Sequence, residues 1–348
     1  MPRLRRVNSS KPGIQRRRRG RGFEFIDTDG KRLTDRETLE RIKQLVIPPA
    51  WEDVWICPSP WGHLQAVGTD SAGRKQYLYH PQWRTRRDQQ KFDRMLEFAK
   101  ALPGLRKRIG RDLAKKELSR DRVLACAVRL LDRGFFRMGS EGYAEANETY
   151  GIATIKKSHV RCREGLITFD YPAKGGLQRI QTIGDGAVCE IVSDLKRRSG
   201  GGDELLAYKD GRRWVDLKSA DINDYIKSAT AGNYSAKDFR TWNATVFAAV
   251  ALAVSREARA ETAQKRAMSR AVKEVASYLG NTPAVCRASY IDPRAFDRYQ
   301  SGWTVKLTLE AFDDKEVGEL AVQGKIEEAV IDLLDEKRSP ALEMEKIA

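Results

Sequence analysis

The spacing of apolar and polar positions divides the chain into stretches of different period. Between residues 23 and 79 the apolar runs are short: FEFID (23–27), DVWIC (53–57), LQAVG (64–68) and QYLY (76–79). Turn clusters DTDG, PSPWG and DSAG separate them, as strands of a small sheet require. DTDG has the opening of a calcium loop, but position twelve of that loop would be Thr38 instead of glutamate, which favours a hairpin turn. Between the first two runs, TDRETLERIKQLV (34–46) reads as a capped helix. Residues 21–87 therefore predict a small N-terminal antiparallel β-sheet domain.

From about residue 88 the period becomes helical. Ser119 can cap a helix whose apolar positions are Val123, Leu124, Ala127, Leu130 and Leu131, ending at Gly134. Residues 152–183 return to strands: HVRCR, a turn at Glu164-Gly165, LITFDY, a turn at PAKGG, then LQRIQTI. Helical patterns resume at 186–198, 219–228, 236–259 and 262–279. Gly280 is suited to the last C-cap, and Pro283 blocks continuation. WTVKLTLEAF is strand-like, and a further helix lies near 326–337. The fold class is α+β: the small sheet domain, then over 88–310 a larger, mainly helical domain with a small embedded sheet. An acidic extension follows over 311–348, expected as a solvated subdomain, with shielding of basic surface or a partner contact as the other readings. Residues 1–20, ending RRRRG, lack apolar periodicity and are expected to be a disordered Arg-rich tail.

Charge adds a partner to this outline. The 348 residues carry a formal net charge of +16 and a pI of about 9.6. Residues 1–20 hold eight Lys/Arg and no acid, whereas 310–348 hold twelve acids and five bases. A basic excess spread through the folded body points to a polyanion, because each phosphate contact releases counterions. No apolar run approaches the ~18 residues of a membrane span, and the N-terminus lacks a secretory apolar stretch, so the cytoplasm is the expected compartment. The five cysteines are dispersed without a CxxC pair, which argues against a disulfide framework or zinc site. There is no HExxH, Walker or dinucleotide motif, and His63, His80 and His159 lie far apart. Neither a metal nor a nucleotide cofactor is expected.

Cutting or joining a phosphate backbone without those groups leaves a side-chain nucleophile in a cationic cage as the main route. Four segments have the right character. Arg137, in FFRMGSEGYAEANETYG, follows a helix end and could clamp a phosphate bidentately; alone it reads as a solvated arginine. Lys174, in the turn PAKGG, could reach a DNA groove and protonate a leaving oxygen; alone it is a solvated turn lysine. In SAKDFRTW, Ser235 and Asp238 fit a capping box, placing Lys237 and Arg240 near an anion-favouring helix start; alone they are helix-surface charge. LGNTPAVCRASY contains Asn281 and Tyr290, either a helix cap and a surface tyrosine or a phosphate donor and a nucleophile.

Taken in order, FFRMG…NETYG, DYPAKGG, KDFRTW and LGNTPAVCRASY resemble the catalytic segments of type IB DNA topoisomerases, of the compact poxvirus-like and bacterial branch. GTDSAGRKQYLYH (68–80) resembles that branch's small N-terminal domain, so the resemblance runs from about 23 to 300. It implies a C-shaped DNA clamp with a catalytic larger lobe. It puts the two catalytic arginines on Arg137 and Arg240, the general-acid lysine on Lys174 and the nucleophile on Tyr290. Gln76, Tyr77, Tyr79 and Tyr143 match DNA-contacting positions. The implied reaction breaks one strand through a 3′-phosphotyrosyl link and reseals it with the freed 5′-hydroxyl, without ATP or metal. Double-stranded DNA is the implied partner, and a monomer the implied state. One departure stands out. Many members carry histidine where this chain has Asn281, whose amide donates a hydrogen bond but does not titrate. A tyrosine site-specific recombinase is the alternative enzyme, but its HxxR segment here reads Lys237-Asp238-Phe239-Arg240. A non-catalytic basic DNA-binding protein is the alternative outside catalysis.

Overall fold

A computed structural model describes residues 3–255, 260–310 and 324–335. The chain divides into two compact units, Met1–Lys91 and Phe92–Ala348.

The first unit is built on a five-stranded antiparallel sheet of strands β1 (Ile14–Arg19), β2 (Gly22–Ile26), β3 (Glu52–Ile56), β4 (Leu64–Thr69) and β5 (Lys75–Tyr79). Their order is β2-β1-β3-β4-β5. Helix α1 (Arg36–Gln44) begins at Asp35, whose carboxylate accepts from the Thr38 amide at 2.8 Å. Its Ile42 joins Ile14, Val54, Ile56 and Ala66 in a core on one sheet face. The DTDG segment is a turn in which the Asp27 carboxylate accepts from the amides of Asp29 and Lys31.

The expectation of a disordered tail through residue 20 fails. Ile14–Arg19 is an interior strand, paired with β2 and β3. Its arginines hide the strand from a hydrophobicity count, yet their long stems cover apolar surface. Arg16 donates to the Pro48 carbonyl at 3.1 Å and stacks 4.2 Å from the Phe23 ring. Upstream, Val7 donates its amide to His63 Nδ1 at 3.1 Å, and Lys11 accepts from the Trp55 indole at 3.0 Å. Gly13 is required beneath that indole, since a Cβ there would meet Trp55 Nε1 at 2.1 Å.

The second unit is mainly helical. The long helix α2 (Pro81–Leu113) and α3 (Arg120–Arg133) supply much of its core. After α4 (Glu141–Asn147) comes a three-stranded meander of β6 (Val160–Arg163), β7 (Leu166–Pro172) and β8 (Gln178–Gly184). Then follow α5 (Gly186–Arg197), the hairpin β9 (Ala207–Asp210) and β10 (Arg213–Asp216), and α6 (Ser219–Thr230). That hairpin has no counterpart in the sequence reading; its strands are four residues each, below the length at which alternation is diagnostic. Helix α7 (Ala236–Ala253) is apolar around most of its circumference and runs buried through the unit. It packs on α8 (Glu261–Leu279), after which come α9 (Pro283–Ser289), α10 (Pro293–Gln300), α11 (Lys306–Glu310) and α12 (Lys325–Leu334).

Two C-terminal expectations change. The strand-like WTVKLTLEAF is helical over Lys306–Glu310, and its remaining residues lie outside the described ones. Val305 and Leu309 are four apart and both face the core, a spacing that strand alternation and a helical turn share. The extension at 311–348 was expected as a solvated subdomain, but α12 within it is embedded in the unit's core through Ile326, Val330 and Leu334. Glu327 is buried there and accepts from Arg106 at 2.5 and 3.0 Å and from the Trp242 indole at 2.7 Å. Arg106 also pairs bidentately with Asp132 at 2.8 and 2.9 Å. Burial alone would lower the guanidinium pKa, but the two carboxylates reverse this and raise it.

Candidate active site

Arg137 sits in an extended segment after α3, fixed by backbone contacts. The Ile152 amide donates to the Arg137 carbonyl at 2.9 Å, and the Ala153 amide to that of Met138 at 2.8 Å. This close approach needs Gly151, because a Cβ there would lie 2.4 Å from the Gly139 nitrogen. Arg137 is half-buried, so its guanidinium reaches inward while part stays open.

Arg240 lies in the second turn of α7, whose start is held by the predicted capping box: the Ser235 amide and hydroxyl donate to Asp238 at 2.8 and 3.0 Å. It is no surface charge, being only 4% exposed. Its guanidinium donates to the carbonyls of Phe135 and, at 2.9 Å, Leu279, and lies 5.3 Å from the Tyr290 ring centre. Burial pushes its pKa down to about 10, against the opposing pull of Tyr290. Lys237, one turn earlier, is exposed.

The C-terminal end of α8 organises the site. It closes in the expected manner at Gly280, which takes φ +60, with the Asn281 amide donating to Ala276 at 3.0 Å. Its last carbonyls then accept from three different arginines. Tyr278 accepts from Arg179, Leu279 from Arg240 at 2.9 Å and Gly280 from Arg137 at 3.0 Å. A helix C-terminus carries partial negative charge, so it can gather cations that would otherwise repel. Asn281 adds its side chain: Oδ1 accepts from Arg137 at 2.5 Å, while Nδ2 is buried without a hydrogen-bond partner.

Pro283 ends α8 as expected, but it also opens α9 at its first turn, with the Thr282 hydroxyl capping the Val285 amide at 3.3 Å. That short helix delivers Tyr290 at its C-cap. The Thr245 hydroxyl of α7 donates to the Tyr290 carbonyl at 3.3 Å and accepts from the Asp292 amide at 3.1 Å. Asp292 is fully buried and pairs with Arg294 at 2.7 Å, which fixes the following turn. Burial alone would raise the Tyr290 pKa; the charges of Arg240, then Arg137 and Lys237, outweigh it and bring the phenol below its ordinary value.

Lys174 is exposed at the tip of the β7–β8 hairpin, where Ala173 donates to Leu177 at 2.9 Å and Gly175 and Gly176 take φ +85 and +72. It borders the cleft that Arg137, Tyr171, Arg179, Leu279 and Gly280 also line. The structure thus brings Arg137, Arg240, Asn281 and Tyr290 together and sets Lys174 on the adjoining hairpin. Arg179 was missed by the sequence reading. Its only signal is the alternation of β8, in which residues 179, 181 and 183 face inward. In the first unit, Tyr77 and Tyr79 project from β5, 45% and 42% exposed, with rings stacked 6.2 Å apart. Gln76 donates to Asp70 at 2.8 Å. The side chain of Tyr143 lies outside the described residues.

Comparison with known proteins gives the family of the chain. The family model described as eukaryotic DNA topoisomerase I, catalytic core, matches residues 80–308. That of the bacterial DNA topoisomerase IB N-terminal domain matches residues 22–70. The chain is similar to DNA topoisomerase 1B of Acanthamoeba polyphaga mimivirus, 31% identical over 297 residues, covering 83% of this chain and 88% of that protein. It is 28% identical over 163 residues to DNA topoisomerase 1B of Vaccinia virus (strain Copenhagen), covering 42% and 51%. It is 25% identical over 174 residues to DNA topoisomerase 1 beta of Arabidopsis thaliana, covering 49% and 18%. With two thirds of its length in the catalytic-core match and strands β2 to β4 of its sheet domain in the bacterial one, the chain belongs to the type IB DNA topoisomerases.

Proposed function

We propose that this enzyme relaxes positive and negative supercoils by transient cleavage of one DNA strand. The Tyr290 oxygen attacks a backbone phosphorus, forming a 3′-phosphotyrosyl ester as the bond to the 5′ oxygen breaks. Lys174 gives that oxygen its proton, and the resulting 5′-hydroxyl later reverses the step. The ester is exchanged instead of hydrolysed, so resealing draws on no ATP, and the chain's own cations serve where a metal otherwise would. The observation that carries this reading is the arginine pair beside Tyr290, with the unpartnered Asn281 Nδ2 next to it. Free tyrosine has a pKa of about 10. Guanidiniums that lower it also stabilise the charge that builds on the phosphorus oxygens, where desolvated donors are worth most. Asn281 Nδ2 would meet one non-bridging oxygen.

In this reading residues 88–310 form the catalytic domain and 21–87 a DNA-binding domain. Gln76, Tyr77, Tyr79, Tyr143 and Lys237 contact the duplex. The enzyme works as a monomer on cytoplasmic, nucleoid-associated DNA. The test is relaxation of plasmids of both signs in EDTA without ATP, comparing wild type with Tyr290→Phe. Relaxation by wild type alone is expected. Activity retained by Tyr290→Phe, or a strict magnesium requirement for single-turnover cleavage, would overturn the reading. Recombinant products from paired sites would favour a site-specific recombinase.

A further inference from the structure

Arg179 is the third arginine at the C-terminal end of α8, and nothing in the proposed reaction uses it. It is half-buried on β8, five residues beyond Lys174 on the same hairpin. Its Nε donates to Gln181 Oε1 at 3.0 Å, and its Nη2 to the Tyr278 carbonyl. Its Nη1 lies against Gly280, where a Cβ would come within 2.9 Å. It also interacts with the Tyr171 phenol on β7, and burial together with the nearby Arg137 charge lowers its pKa. One guanidinium therefore spans both strands of the Lys174 hairpin and the end of the helix that holds Arg137 and Asn281. The hairpin tip is exposed at Lys174, Gly175, Gly176 and Leu177, and behind it the Tyr150 amide donates to the Pro172 carbonyl at 2.9 Å.

We propose that Arg179 is a positioning residue that clasps the hairpin to α8, setting Lys174 in register with the scissile phosphate. The proposal rests on the reading of Lys174 as general acid. Its role is separable from simple cage charge by the leaving group. With oxygen at the 5′ bridge, the P–O bond breaks well only if a proton reaches the departing alkoxide. With sulfur at that bridge, the P–S bond breaks to a thiolate, which leaves unprotonated because thiols are far more acidic than alcohols. A misplaced proton donor therefore slows the oxygen substrate and spares the sulfur one.

The experiment is single-turnover cleavage of two duplexes, identical except for oxygen or sulfur at a cleavage position mapped with wild type. A misplacement of about 1 Å can slow a step by about 100-fold. In Arg179→Ala the ratio of sulfur to oxygen cleavage rates is expected to rise about 10- to 100-fold over wild type. Because this ratio is taken within one preparation, partial unfolding of the variant cancels from it. In Arg179→Lys the ratio is expected to rise as well, since one ammonium does not reproduce the fork that joins Gln181 to Tyr278. An unchanged ratio in Arg179→Ala, whether or not both rates fall, would overturn the clasp. A wild-type ratio in Arg179→Lys would overturn it too, by showing that charge suffices. Wild type that cleaves neither duplex would sink the underlying reading as well.

Discussion

Two arginine centres in the larger unit make opposite use of the same side chain. Arg106 is enclosed by the carboxylates of Asp132 and Glu327, and its pKa rises. Arg240 is buried as well, but its partners are the carbonyls of Phe135 and Leu279, and its pKa falls to about 10. Carboxylates cancel a buried charge; carbonyls orient it while leaving most of its potential outside. The first centre is thereby spent on joining α12 to α2, α3 and α7. The second keeps an unneutralised positive field beside Tyr290. Among the described residues, no carboxylate forms an ion pair with Arg137, Arg179 or Arg240. A stability site and an anion site can thus be told apart by what accepts the arginine's protons.

The contrast breaks most visibly at Glu327. Glu327→Ala leaves Arg106 half-compensated in a buried setting, and removing one member of a buried pair costs about 3–5 kcal/mol. Chemical denaturation should show that loss, and a change below about 1 kcal/mol would mean that solvent already screens the pair. Arg240→Ala should do the reverse. Single-turnover cleavage should fall about 100- to 1000-fold, as for loss of one oxyanion donor, with much less effect on stability. The same variant sharpens the electrostatic claim. Because Arg240 pulls the Tyr290 phenol below its ordinary value, the wild-type cleavage rate should rise with pH to an inflection below 10. Without Arg240 the inflection should move upward; one that stays put would show that the rate reports another group. The smallest effect is expected at Asn281. Asn281→Ala removes one neutral donor, and about 1.4 kcal/mol corresponds to a 10-fold slower cleavage. Asn281→His should recover or exceed wild type, if a titratable cation serves the same oxygen better. Unchanged cleavage in Asn281→Ala would remove the residue from the cage.

What could be read from the sequence followed the range of the interactions. Helix limits set by local chemistry, such as Asp35 before α1 and Gly280 after α8, lie where the residues put them. The convergence of Arg137, Arg240, Asn281 and Tyr290 was legible through family resemblance; no local period links residues 137 and 290. The role of Arg179 was not legible because its one distant partner is a backbone carbonyl, that of Tyr278, and the alternation of β8 shows only that the side chain faces inward. The strand Ile14–Arg19 was hidden by composition: four arginines look like a solvated run until β2 and β3 flank them. Helix α12 reads in sequence as an appendage because acids surround the apolar face formed by Ile326, Val330 and Leu334. Glu327, the residue that ties it down, looks in sequence like one more surface acid.

Gly280 has a consequence for the lineage of this protein. Its backbone at φ +60 strains most side chains, while a Cβ there would meet only the end of the Arg179 side chain, at 2.9 Å. Backbone conformation more than crowding therefore sets what descendants can carry at 280, and asparagine, which takes the left-handed region most readily after glycine, is the replacement expected among them.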